Sequence, residues 1–182
     1  MDNGLIPQRY AKALYKYALE TDSTEKLYEI VKVVINSFET NPSLQKVLAN
    51  PFVKDDDKET LLLSAAGKDA DDAYKRFVKL ILEHGRADYS YLMMIAYRDL
   101  YRNSHDISQV NITTAAPLSP AMMQKLRDLV RNSFKDSVLE FSEKVNSDLI
   151  GGFVIDVDSV RLDASISNEL EQIRLTLLRS NS

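Results

Sequence analysis

The sequence predicts a mainly α protein with a second α+β domain: an N-terminal six-helix bundle followed by a small sheet-and-helix C-terminal domain. Three observations predict it. Glycine and proline are scarce, five of each in 182 residues, which is roughly half of average usage, so few tight turns are available. Through the first 104 residues apolar side chains recur at spacings of three and four, the period of an amphipathic helix. After Ser104 the period falls to two in Val110, Ile112 and Thr114, as a half-buried strand requires. With 45 % apolar and 27 % charged residues, the chain can bury a core and is not intrinsically disordered.

The first helix runs from Leu5 to Glu20, with Ile6, Tyr10, Ala13, Leu14, Tyr17 and Ala18 on its apolar side and Pro7 tolerated in the first turn. Asp22, with Glu25 three residues on, reads as the N-cap of a second helix through Leu27, Ile30, Val31, Val34, Ile35 and Phe38. Asn41 and Pro42 end it. A short third helix, Ser43 to Leu48, stops at Asn50 and Pro51. Asp55 to Asp57 sit at the positive end of a fourth, which continues to Ala65 before Gly67 takes the left-handed position. Asp71 and Asp72 open a fifth with Ala73, Phe77, Leu80 and Ile81 on one face and Gly85 as its stop. Asp88 starts the sixth, where Tyr89, Leu92, Met93, Ala96, Tyr97 and Leu100 form the stripe. No fixed repeat of 20 to 50 residues is visible, which argues against a solenoid.

In the second part, Ser119 and Pro120 restart a helix at N-cap and N1, carrying Met123, Leu126, Leu129, Val130 and Phe134. Leu139 and Phe141 make a second strand, with Val145 as its furthest extent. Gly151 and Gly152 interrupt an apolar run that continues as Phe153, Val154, Ile155 and Val157. Val160, Leu162 and Ala164 form a further strand after a turn near Asp158 and Ser159, and Ile166, Leu170, Ile173 and Leu177 stripe a last helix. The expected division is 1–105 and 106–182.

Composition excludes many chemistries. No cysteine is present, so disulfides, thiol nucleophiles and thiolate zinc sites are absent, which fits a reducing compartment. Two histidines cannot form a three-histidine site. Net charge is −4, split −1 and −3 between the two parts, and this argues against nucleic acid, whose binding rests on Lys and Arg against phosphate. No apolar run approaches the roughly 20 residues of a membrane span, so a soluble protein with no direct membrane insertion is expected. Met1 reads as the start of the working protein, without a presequence, in a bacterial cytoplasm.

Gly67-Lys68 lacks the rest of a phosphate loop, with Leu62 where a glycine is needed and Asp69 where Ser or Thr belongs. Asp55, Asp56, Asp57 and Glu59 lack the alternation and the glycine of a calcium loop, Thr60 standing in the glycine slot; Asp69, Asp71 and Asp72 fail alike at Tyr74. Asp156, Asp158 and Asp163 lie near strand ends, where paired carboxylates could do acid–base work in a small hydrolase or ligand-binding protein; turn and edge carboxylates in water are the favoured reading. His84 sits at a helix end and His105 in the linker, and neither has a visible triad partner. What remains is apolar helix surface. Tyr10, Tyr15 and Tyr17 lie at about 0, 140 and 340 degrees around the first helix, so Tyr15 faces away from the others. One of these faces is core, and the other is either more core or the wall of a groove for a partner helix.

Four pieces in order carry a resemblance spread over nearly the whole chain: Arg9-Tyr10-Ala11-Lys12-Ala13-Leu14, Glu83-His84-Gly85-Arg86, Ala115-Ala116-Pro117-Leu118-Ser119, and Leu149-Ile150-Gly151-Gly152-Phe153-Val154-Ile155 followed by Asp163-Ala164-Ser165. Together they resemble the delta subunit of bacterial F-type ATP synthase, the family of the mitochondrial oligomycin-sensitivity-conferring protein. The glycine pair with its downstream Asp-x-Ser is the most specific piece. The resemblance implies a non-catalytic peripheral-stalk subunit without cofactor or metal. It would link the catalytic head to the b subunits and resist rotation, as a peripheral protein at the cytoplasmic face of the bacterial inner membrane. It implies that residues 1–105 bind the head and 106–182 the peripheral stalk. The family's head-binding face, on helices 1 and 5, grips the N-terminal segment of an alpha subunit and would here comprise Tyr10, Ala13, Leu14, Tyr17, Phe77, Leu80 and Ile81. Gly85, Arg86, Gly151, Gly152, Asp163 and Ser165 would be structural signature positions.

Overall fold

The computed structural model describes residues 4–67, 70–134 and 138–180, with side chains as far as 173. Lys68, Asp69 and the Leu177 side chain therefore lie outside the described residues. The chain divides into two compact units, Met1–Ser104 and His105–Ser182.

The first unit holds α1 (Leu5–Glu20), α2 (Thr24–Thr40), α3 (Ser43–Ala49), α4 (Asp55–Ala65), α5 (Asp72–Glu83) and α6 (Ser90–Ser104). The helix α6 packs against both α1 and α2, and α5 packs against α4 and α1. The core is built largely by the stripes that periodicity marks, Leu14 and Ala18 from α1, Leu27, Val31 and Val34 from α2, Phe77 and Ile81 from α5, and Met93 and Tyr97 from α6, joined by Tyr74 of α5, which the marked stripe does not include. Aromatic rings tie α6 to its neighbours. Tyr28 stacks on Tyr101 with centroids 4.1 Å apart, and Tyr15 meets Tyr97 edge-on at 5.9 Å. Tyr15 thus spends its separate face on α6. The Tyr74 hydroxyl, buried, donates to the Leu62 carbonyl at 3.0 Å and so joins α5 to α4; burial pushes its pKa upward.

Helix ends follow local chemistry, with two corrections. Asp71 caps α5 by accepting from the Asp72 N–H at 2.8 Å, and Asp55 to Asp57 occupy the first turn of α4. Asp22, expected to cap α2, instead has φ 51 and terminates α1. The Ser23 N–H reaches back to the Ala18 carbonyl at 2.9 Å and the Asp22 N–H to Leu19, the paired bonds of a left-handed helix stop; Ser23 is the N-cap residue of α2. Asp88, expected to start the sixth helix, lies in a 3-10 turn over Ala87–Tyr89, and α6 begins at Ser90. At Gly85, φ 62 permits the same stop as in α1, with Arg86 N–H donating to Ile81 O at 2.7 Å and Gly85 N–H to Leu82 O at 2.8 Å.

The second unit contains β1 (Ile107–Thr114), α7 (Pro120–Ser133), β2 (Val138–Val145), β3 (Gly152–Val157), β4 (Val160–Ser165) and α8 (Ile166–Ser180). The sheet order is β2-β1-β3-β4, with β1 parallel to β2 and antiparallel to β3, and β3 antiparallel to β4. A parallel pair needs a crossover, and α7 supplies it, capped by Ser119, whose hydroxyl accepts from Met122 N–H. Val110 and Ile112 of β1, Ile155 and Val157 of β3, and Leu126 and Val130 of α7 close one core.

Gly152 has φ 81, and a Cβ there would stand 2.2 Å from the Ala164 carbonyl oxygen across the β3–β4 pair; at Gly151 it would meet only the tip of Ile166. Gly85 also has positive φ, but nothing lies within 4 Å of a Cβ built on it. The two strained positions should therefore separate on substitution. Gly85→Ala should cost about 1 kcal/mol, and Gly152→Ala should cost more than that, about 2–4 kcal/mol, because backbone must move as well. Denaturant unfolding of both variants checks this, and equal losses would contradict the close-approach account.

Candidate functional site

Antiparallel placement of α1 and α5 opens a groove between them. At one end Tyr10 lies edge-on to Phe77, centroids 6.5 Å apart, and shares a 2.9 Å hydrogen bond with His84 Nδ1. At the other, Arg76 Nη1 donates to the Tyr17 hydroxyl at 2.8 Å, its guanidinium 5.9 Å from the ring centroid. Between them lies a groove of about 290 Å³ lined by Ala13, Leu14, Tyr17, Ala73, Arg76, Phe77 and Leu80. Apart from Arg76 the lining is alanine, leucine and aromatic ring. Leu14 and Phe77 are buried and make its floor, while Ala13 and Leu80 are exposed. The two alanines are small enough to let another backbone approach closely, and the volume is roughly twice the ~150 Å³ that holds a benzene ring. Such a surface suits two or three anchors of an amphipathic helix spaced i, i+3 or i+4.

Of the seven residues that the resemblance assigns to this face, five line the groove and Tyr10 closes its end. Ile81 is placed differently. It is 1 % exposed within the bundle core, because it is rotated about 40° from Phe77 around α5, away from Leu80. Ala73 and Arg76 line the groove but are not among the seven. The signal for them is present in the sequence: Ala73, Arg76, Phe77 and Leu80 stand at i, i+3, i+4 and i+7, and the positive charge masks the stripe at its second position.

Other clefts are more mixed in character. One between α1 and α6, about 370 Å³, is lined by Lys12, Asp99 and Asn103 as well as apolar groups, and one in the second unit, about 540 Å³, by Arg127, Glu143 and Lys144. Among the described residues no cluster of His, Asp or Glu suits a metal ion, and no helix is long and apolar enough to cross a membrane.

The three strand-end carboxylates each hold structure. Asp156 receives Arg161 Nε at 2.6 Å across the β3–β4 pair, and that bond raises the pKa of the guanidinium. Asp158, in the β3–β4 turn with φ 49, accepts from the Gln109 N–H at 3.0 Å. The Asp163 carboxylate accepts from Ser165 Oγ at 2.6 Å and from Ser165 N–H at 3.0 Å, while Ser165 Oγ accepts from Asn168 N–H at 3.2 Å. Asp163 and Ser165 are thus the N-terminal cap of α8. Hydrogen bonding from the Ser165 hydroxyl, then its N–H, lowers the Asp163 pKa. These partners explain the carboxylates without acid–base chemistry.

Comparison with known proteins follows the same lines. Residues 6–177 match the family described as ATP synthase delta (OSCP) subunit. The ATP synthase subunit delta of Phocaeicola vulgatus is 35 % identical over 179 residues, covering 98 % of this chain and 96 % of that protein. That of Parabacteroides distasonis is 35 % identical, covering 99 % of each. In the solved Toxoplasma gondii mitochondrial ATP synthase hexamer, one chain aligns with a TM-score of 0.72 at 19 % identity over 94 % of this chain and 97 % of that one, a likeness of fold.

The Asp163 cap has a pH signature. A carboxylate whose folded pKa is lowered stabilises the fold above its ordinary pKa of about 3.9, and that contribution is lost as pH falls through the lower folded value. Melting curves taken between about pH 7 and pH 3 should show a steeper fall in Tm for the wild type than for Asp163→Ala. Parallel curves would remove Asp163 from the acid response.

Proposed function

We propose, on the premise that this chain belongs to the ATP synthase delta (OSCP) subunit family and is a non-catalytic peripheral-stalk subunit of an F-type ATP synthase, that the α1–α5 groove is where it grips the catalytic head. The occupant is the N-terminal segment of an alpha subunit, taken up as a helix. One observation carries this reading: apart from Arg76 the groove lining is apolar, with Ala13 and Ala73 leaving room for a third helix. A stator under torque needs a bond that does not slip, and burial of apolar helix surface supplies it against the cost of ordering the incoming segment.

In the same proposal the second unit takes the ends of the b subunits. Ile166, Leu170 and Ile173 stripe α8 at i, i+4 and i+7, yet they are 43 %, 53 % and 56 % exposed. A stripe of that kind suits packing against further helices. The subunit then sits peripherally at the cytoplasmic face of the bacterial inner membrane and holds the head still while the rotor turns.

Tyr10→Ala and Leu80→Asp should weaken head binding at least tenfold while leaving the chain folded, since Leu80 is 38 % exposed and Tyr10 lies at the groove end. Ile81→Asp, by contrast, should unfold the bundle, a charge at a site 1 % exposed being left without a partner. Calorimetric titration with a peptide of the cognate alpha N-terminus, with circular dichroism as the folding control, tests this. Unchanged affinity in folded Tyr10→Ala and Leu80→Asp would sink the groove assignment.

A further inference from the structure

Among the residues lining the α1–α5 groove, Arg76 alone is charged. It uses one N–H on the Tyr17 hydroxyl, and no carboxylate pairs with it among the described residues; the nearby Asp72 is engaged by Lys75 at 3.5 Å. A guanidinium carries five N–H donors, so most of its capacity is met by water while the groove is open. An apolar helix laid into the groove expels that water. A guanidinium desolvated without a partner is costly, and a carboxylate matches its fork with two parallel charge-assisted bonds.

The groove is asymmetric in this respect. Its Tyr17 end holds Arg76, whereas its Tyr10 end is closed by the mutual bond between Tyr10 and His84. Tyr10 and Tyr17 are seven residues apart, about 10 Å along α1. A helix entering the wrong way round would carry its acidic group about that far from Arg76.

We propose that the occupant of the groove bears a carboxylate beside its apolar stripe at the Tyr17 end, that Arg76 pairs with it, and that this pair sets the direction in which the helix lies. Arg76 is a specificity residue, with apolar burial supplying the adhesion and the ion pair the polarity. The inference rests on the reading of the groove as the alpha-segment site.

The test titrates the full-length chain with a synthetic peptide of the cognate alpha N-terminus, and with versions in which each acidic residue is changed in turn to lysine. Arg76→Glu should bind the native peptide at least tenfold more weakly, and one charge-reversed peptide should recover most of that loss. Arg76→Gln, a milder change at an exposed position, should bind with a shallower salt dependence than the wild type. Ala13→Trp, which fills the groove, is the control. If Ala13→Trp abolishes binding while Arg76→Glu binds like the wild type, or if no charge-reversed peptide restores Arg76→Glu, the pairing is overturned and the groove reading stands. If binding survives Ala13→Trp, the groove reading falls and the pairing with it.

Discussion

On α1, Pro7, Ala11, Leu14 and Ala18 face the bundle, but the apolar arc does not end there; it continues through Tyr10, Ala13 and Tyr17. On α5 the same excess occurs, with Ala73, Tyr74, Phe77, Val78 and Ile81 buried and Leu80 continuing the arc into the open. Two helices whose apolar arcs are wider than their neighbours cover must leave part of that surface in water when they pack antiparallel. The groove is this uncovered remainder. Leu14 and Phe77 belong to both sides of it, buried in the bundle and yet forming the floor, so the groove and the bundle core share a surface.

The second unit meets a different constraint, namely close approach of backbone. Gly152 opens β3 directly against Ala164, the Ala115 N–H reaches the Gly152 carbonyl, and the Ile166 N–H reaches the Gly151 carbonyl. The Asp163–Ser165 cap starts α8 at that same corner. The glycine pair and the Asp-x-Ser motif are therefore two halves of one joint, where the last strand turns into the last helix. The joint sets where α8 begins, and with it the half-exposed stripe of Ile166, Leu170 and Ile173.

Much of this is legible in the sequence, and what is not has identifiable causes. Periodicity finds the helices because each buries one stripe, and it finds β1 because Val110, Ile112 and Thr114 alternate inward. It misplaces the start of α2 because an aspartate can stabilise either a cap or a left-handed stop, and only the backbone angle at Asp22 tells them apart; it misplaces that of α6 because a 3-10 turn over Ala87–Tyr89 precedes the helix. Pairing is beyond its reach: nothing local in Val138–Val145 says that this strand lies parallel to β1 at the sheet edge. At the groove the limit is angular. Leu80 and Ile81 are adjacent members of one stripe, and the 100° between them separates a residue 38 % exposed from one 1 % exposed. Arg76 is hidden for the opposite reason, because a charged side chain reads as solvent-facing until the neighbouring helix is in place beside it.

Amide hydrogen exchange of the full chain, with and without a peptide of the alpha N-terminus, tests whether that segment lies between α1 and α5 as proposed. Slowed exchange confined to α1 and α5 is expected, together with the peptide's own amides becoming protected as it turns helical. Protection concentrated in α3 and α4, or in the second unit, with α1 and α5 unchanged, would contradict it.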